Sequence, residues 1–429
     1  LNLCPLLSQG QIEALENHAS AYLQNLYLPK LISGEWTGTM NLTEPQAGSD
    51  VGALSSKAEP QVDGTYKISG QKIFITWGEH DVAENICHLV LARLPDGKPG
   101  PKGISLFLVP KFIPNADGSL GARNDLRCVS LEHKLGIHGS PTAVMEFSGA
   151  KGWLVGQEHN GMACMFTMMN NARLAVGMQG VGVAEGAYQH ALAYAMDRKQ
   201  GRPMIAGGTG AIIDHADVRR MLAQMKSEIF AARAIGVACA VAIDMSKATG
   251  DADWLARAAF LTPIAKAFGS DVGVAVADLG VQIHGGMGFV EETAAAQYLR
   301  DVRITPIYEG TNGIQAMDLV ARKMADGGTA AYALMDDIEA LAAASSSTLA
   351  RAVLDATAEL RATTEWLLTQ ELNDRFAGAV AYQKAFARVL GGHFHLIAAM
   401  SGEGKRIRMA TFYMNSLLPE YTALCAQAR

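Results

Sequence analysis

Strong charge is the first thing this chain lacks. Only 18% of its 429 residues are Asp, Glu, Lys or Arg, and they leave a formal net charge of −6. A weakly acidic chain is not built to hold nucleic acid as its main partner, and the one basic cluster, Lys405-Arg406-Ile407-Arg408, is too small to reverse that. Metal-ligand spacing is missing as well. Cys4, Cys87, Cys128, Cys164, Cys239 and Cys425 stand apart with no C-x-x-C pair, which fits reduced thiols. His133, His138, His159 and His215 share no ligand spacing, so no metal is expected. No uninterrupted apolar run reaches a membrane span; the longest, Ala234 to Ile243, is about half of one. No basic stretch followed by a signal-type apolar run opens the chain. The expectation is a soluble protein of a reducing compartment, the cytoplasm, without a membrane partner.

Aromatics are also few, at 7%, whereas hydrophobic residues reach 49% and glycine and alanine abound. That balance suits closely packed helices and excludes disorder, at a length that allows two or three domains. Residues 1–36 read as helix, with Ser8 placed to cap it, Pro29 to break it and Leu31 to Gly34 to form a short second turn. The chain opens inside this helical pattern without a Met.

Residues 37–150 change texture. Tyr66, Ile68, Ile73 and Ile75 alternate around a Ser69-Gly70 break, and Ile86 to Ala92, Ile104 to Val109 and Ala143 to Phe147 add strands between Gly/Pro-rich turns. With no long helix between them they should pair antiparallel as a small barrel or sandwich. Helical periodicity returns at residues 151–325, with helices near 162–200, 214–245, 254–284 and 314–324 forming a bundle. Gly177, Gly180, Gly182 and Gly186 mark a stripe of close packing. Residues 330–429 read as a separate C-terminal helical domain, broken at Ser345 to Thr348, at Gly391-Gly392 and at Gly402 to Gly404. The fold class is α+β, mostly α.

One stretch carries chemistry: Tyr308-Glu309-Gly310-Thr311, in a turn between two helical patterns. A turn can aim a carboxylate into a cleft, and Gly310 lets a ligand approach the backbone, so Glu309 is a candidate general base; equally, a Glu-Gly pair can be a plain surface loop. Thr43 to Asp50 form a polar loop suited to a flavin edge or a thioester tail, or to ordinary capping by Ser49 or Asp50. Arg198, Lys199 and Gln200 end a long helix, where cations complement its dipole or could grip a pyrophosphate. In Gln282 to Gly288 paired glycines allow close backbone approach, yet the strand–GxGxxG–helix context of a Rossmann site is absent.

Taken in order, these motifs resemble the acyl-CoA dehydrogenase family: Thr43-Glu44-Pro45-Gln46-Ala47-Gly48-Ser49-Asp50, Phe74-Ile75-Thr76, Arg198-Lys199-Gln200, Gln282 to Gly288, and Tyr308 to Thr311. The resemblance covers roughly residues 20–325. It is closest to the 3-methylmercaptopropionyl-CoA dehydrogenase-like branch with an extra C-terminal helical domain, through Gly34 to Met40, Gly78 to Asp81 and Leu131 to Lys134. It implies the acyl-CoA dehydrogenase fold: an N-terminal helical part (truncated here), a middle antiparallel β domain, a four-helix bundle and the C-terminal extension. It implies FAD as cofactor, an acyl-CoA substrate, electron-transfer flavoprotein as acceptor, and a homodimer or homotetramer. It further implies that Leu42, Thr43 and Ser49 line the flavin, that Phe74, Ile75 and Thr76 cover its edge, and that Thr311 touches it. Arg198, Gln200, Gln282, Gly285 and Gly286 would hold the adenine and pyrophosphate end. Ser49, Arg173 and Gly310 would contact substrate, with Glu309 the base. Phe74 stands where Trp is commoner, Gln297 where a basic residue is usual, and Asn170 where an acidic one is often found. A same-fold flavoprotein with a DNA-binding or stress-response role is the alternative; it would carry a strongly basic C-terminal region, whereas Glu339, Glu359 and Glu365 offset the basic residues here.

Overall fold

The computed structural model describes residues 3–429, the side chain of Asn170 excepted. The chain forms two compact units, residues up to Ala172 and Arg173 onward.

The first unit begins with α1 (Leu3–His18) and α2 (Ala21–Ser33). Ser8 is not a cap: it lies inside α1, and its Oγ accepts from the Gly38 N–H at 2.9 Å. Ser20 takes the capping role, accepting from the Leu23 N–H at the start of α2. Pro29 does not break the helix. Leu23, Tyr27 and Leu31 are buried on one face of α2, and that burial outweighs one missing N–H until Gly34, at φ 82°, ends the helix.

Among the described residues nine strands follow: β1 (Trp36–Asn41), β2 (Lys57–Pro60), β3 (Tyr66–Thr76), β4 (Asn85–Arg93), β5 (Ile104–Pro110), β6 (Phe112–Pro114), β7 (Leu120–Arg123), β8 (Leu126–Leu131) and β9 (Thr142–Val155). The path β4–β2–β3–β9–β5 returns to β4, closing a barrel; β8 adds onto β9, and β6 pairs with β7 apart. The expectation of purely antiparallel pairing needs correcting, because β1 lies parallel to β4 and β2 meets β4 in parallel at Lys57 and Arg93. β3 runs through Ser69-Gly70 with a bulge and no break. Inside, Ile68, Val90, Phe107, Val109, Met145 and Phe147 form the barrel core. Outside, Leu89, Leu91, Leu106 and Leu108 pack with Leu15, Leu23, Tyr27 and Trp36. β4 and β5 are therefore buried on both faces, which is why their apolar runs are continuous.

α3 (Gly161–Asp197) carries the chain into the second unit. There α4 (Ala216–Thr249), α5 (Ala252–His284), α6 (Ala295–Val302) and α7 (Asn312–Asp318) follow, and α7 widens into a π turn at Leu319–Lys323. α8 (Thr329–Ala344), α9 (Ala350–Thr369), α10 (Leu372–Met400), α11 (Gly404–Ser416) and α12 (Glu420–Ala428) complete it. The glycine stripe brings α3 against α5: a Cβ on Gly180 would stand 2.3 Å from the Gly269 carbonyl oxygen. Gly182 meets only open space and has no such role.

The last five helices do not pack separately. They share one hydrophobic core with α4 and α5, where Phe260 meets Phe386 ring to ring at 5.0 Å. The Arg388 guanidinium bridges Glu228 of α4 and Glu420 of α12, each at 2.6 Å. α10 runs through Gly391-Gly392 without interruption; Gly391 makes room for Tyr413 Oη, which a Cβ there would meet. Averaged by length and composition, α4 and the segment Ala252–Phe289 are apolar enough to cross a membrane, although no uninterrupted run is. The second of these is 78% buried inside the structure, which fits a core helix.

Candidate active site

Glu309 sits on a turn held in unusual backbone geometry. Its φ is 56° and that of Gly310 is 83°, so two successive residues are left-handed, one of them carrying a side chain. Such strain persists only where the surroundings over-determine it. They do. The Lys266 ammonium, buried on α5, donates to the Gly310 carbonyl oxygen at 2.8 Å and to Asn312 Oδ1 at 2.9 Å. Asn312 Nδ2 donates to Asp271 Oδ1 at 2.7 Å and to Ser270 Oγ at 3.0 Å. Gln315 Nε2 donates to the Glu309 carbonyl oxygen at 3.1 Å. The Tyr308 hydroxyl donates to Gln179 Oε1 on α3. Thr311 caps α7, its Oγ1 accepting from the Ile314 N–H.

The electrostatics follow from burial. Glu309 keeps some surface exposure, but the atoms packed around its carboxyl desolvate the charged form and push its pKa up to about 7. The Arg173 and Lys266 cations pull it back down without cancelling the rise. Burial lowers Lys266 to about 8 against the opposing charges of Glu309 and Asp271. Arg173 is buried, and its Nη1 lies 3.5 Å from Asp318 Oδ2. The turn thus holds a carboxyl that is ready to gain or lose a proton near neutral pH, between two anchored cations.

The other expected residues of this unit lie on two segments. Arg198 and Gln200 are exposed just past the end of α3, and Gln282 is exposed on the last turn of α5. Gly285, at φ 60°, and Gly286 open a short helical turn with nothing within 4 Å of where a Cβ would be. Between them His284 is buried, with Nδ1–H donated to the Gly280 carbonyl and Tyr194 stacked on its ring at 4.3 Å.

In the first unit, Thr43 is part-exposed and Ser49 and Phe74 are exposed, whereas Leu42 and Ile75 are core residues. Leu42 and Ile75, with side chains buried, leave their backbone to a ligand. Phe74 and Trp77, at φ 60° and 62°, form a second strained pair, and a bulge between Lys72 and Ile75 turns Phe74 out to solvent. Asp50 precedes a short helical turn but its side chain makes no cap bond. What fixes the Thr43 to Asp50 loop is Glu44. Its buried carboxylate takes the Lys72 ammonium at 2.8 Å and hydrogen bonds from the Ser55 and Ser56 N–H and hydroxyl groups. Burial would raise Glu44, but the Lys72 charge and those bonds outweigh it and hold it at about 2.

Sequence reading missed Lys266, Asn312, Gln315, Asp318 and the Glu44–Lys72 pair. Lys266, a single cation in the apolar run Leu261 to Phe268, was the one signal available.

Three family models match the chain: "Acyl-CoA dehydrogenase, middle domain" over residues 39–150, "Acyl-CoA dehydrogenase, C-terminal domain" over 159–324, and "Acetyl-CoA dehydrogenase C-terminal like" over 334–429. With a barrel followed by helices and a poised carboxylate on a strained turn, they define an oxidoreductase. The chain belongs to the acyl-CoA dehydrogenase family. It is 48% identical to 3-methylmercaptopropionyl-CoA dehydrogenase of Ruegeria pomeroyi over 418 residues, 94% of this chain and 71% of that one. Other curated relatives, at 40–45% identity, are covered over only 50–54% of their length. Among solved structures, Caenorhabditis elegans ACDH-11 in complex with C11-CoA superposes with a TM-score of 0.84 at 22% identity, covering 96% of this chain and 71% of that one. An acyl-CoA dehydrogenase complexed with FAD from Bacillus anthracis gives 0.78 at 22% identity, covering 96% and 72%. Both show the shared fold.

Proposed function

We propose that this chain dehydrogenates an acyl-CoA thioester between Cα and Cβ, using FAD, with Glu309 abstracting the α-proton. The observation that carries the proposal is the Glu309 turn. A thioester α-proton is a weak acid, so its base gains from a desolvated carboxyl with a raised pKa, and the bound acyl chain desolvates it further. The left-handed turn and its anchors hold that carboxylate against one face of the substrate. The Glu309 N–H is the donor this reading assigns to the thioester oxygen as enolate character develops.

The residues present fit the cofactor. Gly285 and Gly286 leave their backbone open to close approach, next to exposed Gln282, with exposed Arg198 and Gln200 to complement a pyrophosphate. Thr43, Ser49, Phe74 and Thr76, with the Leu42 and Ile75 backbone, are assigned to the ring, and Thr311 to a flavin contact. Bound FAD supplies the acceptor for the β-hydride. Arg173, Gly310 and Ser49 are assigned to substrate. The similarity to the Ruegeria relative favours 3-methylmercaptopropionyl-CoA or another short to medium acyl-CoA. The reading extends to a cytoplasmic homodimer or homotetramer, its two groups of flavin contacts drawn from different subunits, that passes electrons to electron-transfer flavoprotein.

Anaerobic titration of the yellow protein with a panel of acyl-CoAs tests this. Bleaching should be fastest with 3-methylmercaptopropionyl-CoA or a short straight-chain thioester. A protein that retains flavin yet bleaches with none of them would overturn the proposal.

A further inference from the structure

Arg173 is shared between carboxylates. Its Nη1 lies 3.5 Å from Asp318 Oδ2, with both side chains almost wholly buried, and its charge also acts on Glu309. Asp318 ends α7 where the helix widens into the π turn, a distortion frequent at functional sites. On its other side Asp318 Oδ1 stands 2.5 Å from the Arg322 Nε, which reaches in from an exposed position on that turn. A charged chain thus runs from the surface to the base: Arg322, Asp318, Arg173, Glu309.

We infer that Asp318 is a positioning residue, which acts through Arg173 to set the pH at which Glu309 becomes a base. This rests on the reading of Glu309 given above. The charged and titratable groups of this cluster are Arg173 from α3, Lys266 and Asp271 from α5, Tyr308, Asp318 and Arg322 from the Glu309 segment and the helix after it, and Lys384 from α10, 3.6 Å from Asp271. Arg173 stabilises the Glu309 carboxylate. Asp318, 3.5 Å from the guanidinium, offsets part of that cation's field. Without Asp318 less of the Arg173 charge is offset, which favours the ionised base, and Glu309 would titrate lower. Without Arg322, Asp318 would turn wholly to Arg173, and Glu309 would titrate higher.

The test is the acid limb of flavin bleaching by acyl-CoA in the holoenzyme, with an infrared pH titration of the protonated-carboxyl band that Glu309→Gln removes. Asp318→Asn should move both midpoints down by about one pH unit, and Arg322→Ala should move both up. In an Arg173→Gln background, adding Asp318→Asn should leave the midpoints where they were. A downward shift that persists in that background would mean that Asp318 acts on Glu309 directly or that the mutation admits water, and would overturn the inference. Unmoved midpoints in both single variants would overturn it too, and if Asp318→Asn does not fold, Arg322→Ala, a surface change, decides alone. Glu309→Gln separates the two levels: if it bleaches at the wild-type rate, the base assignment fails and this inference with it. If it does not bleach and the midpoints of the other variants stay fixed, only this inference falls.

Discussion

The buried Lys266 ammonium donates to the carbonyl oxygen of Gly310 across 2.8 Å, and so ties the residue after Glu309 to the middle of α5. One contact therefore sets both the backbone shape of the turn and part of the field on its carboxyl. Lys266→Met should raise the Glu309 midpoint above its present value of about 7, because a cation that favours the ionised form is gone. Bleaching at pH 7 should slow roughly tenfold to a hundredfold and recover in part as the pH is raised. Stopped-flow rates from pH 6 to 9 check this; an unmoved midpoint would count against the role of Lys266.

Glu309→Gln removes the base while keeping the size of the side chain. It should leave the flavin bound and reduce bleaching by acyl-CoA at least a thousandfold, beyond the usual range of about 10²–10⁴ for a general base only if positioning is lost too. In the unmutated protein the rate should rise with pH through about 7, since the base works only when deprotonated.

Glu44 and Lys72 anchor the loop that opens with Thr43. Lys72→Met would leave a buried carboxylate without its counter-charge, costing roughly 3–5 kcal/mol. The double variant Glu44→Gln/Lys72→Met should cost less than the single one. Urea melts of both, read by circular dichroism, give the comparison.

Gly180→Ala drives a methyl into the Gly269 carbonyl, a main-chain atom that cannot step aside, and should destabilise by about 1–3 kcal/mol. Gly182→Ala, two residues on and facing open space, should stabilise by about 1 kcal/mol through helix propensity. Equal melting temperatures for the two variants would contradict the packing described for α3 and α5.

His395 is buried against Ser227 and Tyr413, and burial lowers its pKa to about 4, with Arg406 acting in the same direction. A folded-state pKa below the unfolded one, for a base, means that the unfolded chain takes up the proton first. Stability contributed by neutral His395 is therefore complete above about pH 6.5 and lost as the pH falls from there to about 4, by about 3 kcal/mol in all. His395→Gln should flatten that part of the stability–pH curve, measured by chemical denaturation.

The helices α3, α4 and α5 and the strands β3, β4 and β5 were legible because each repeats its apolar residues over many positions. Pro29 and Gly391-Gly392 misled for the opposite reason: a single residue's local preference was overruled by the core it faces, Leu23, Tyr27 and Leu31 in one case and Tyr413 in the other. The short strands β1, β2 and β8 left no pattern long enough to read, and the parallel pairing of β1 with β4 depends on contacts some 49 residues apart in the chain.

Motif order within the chain was enough, without coordinates, to point to a family and to single out Glu309, since Tyr308-Glu309-Gly310-Thr311 and Gln282 to Gly288 are contiguous signals. Only the tertiary structure decided what kind of carboxyl Glu309 is. Its proton affinity is raised by the atoms that exclude water around it and held down in part by Arg173 and Lys266, 136 and 43 positions earlier in the chain. Burial and through-space charge act between groups that folding brings together, and no local spacing records them.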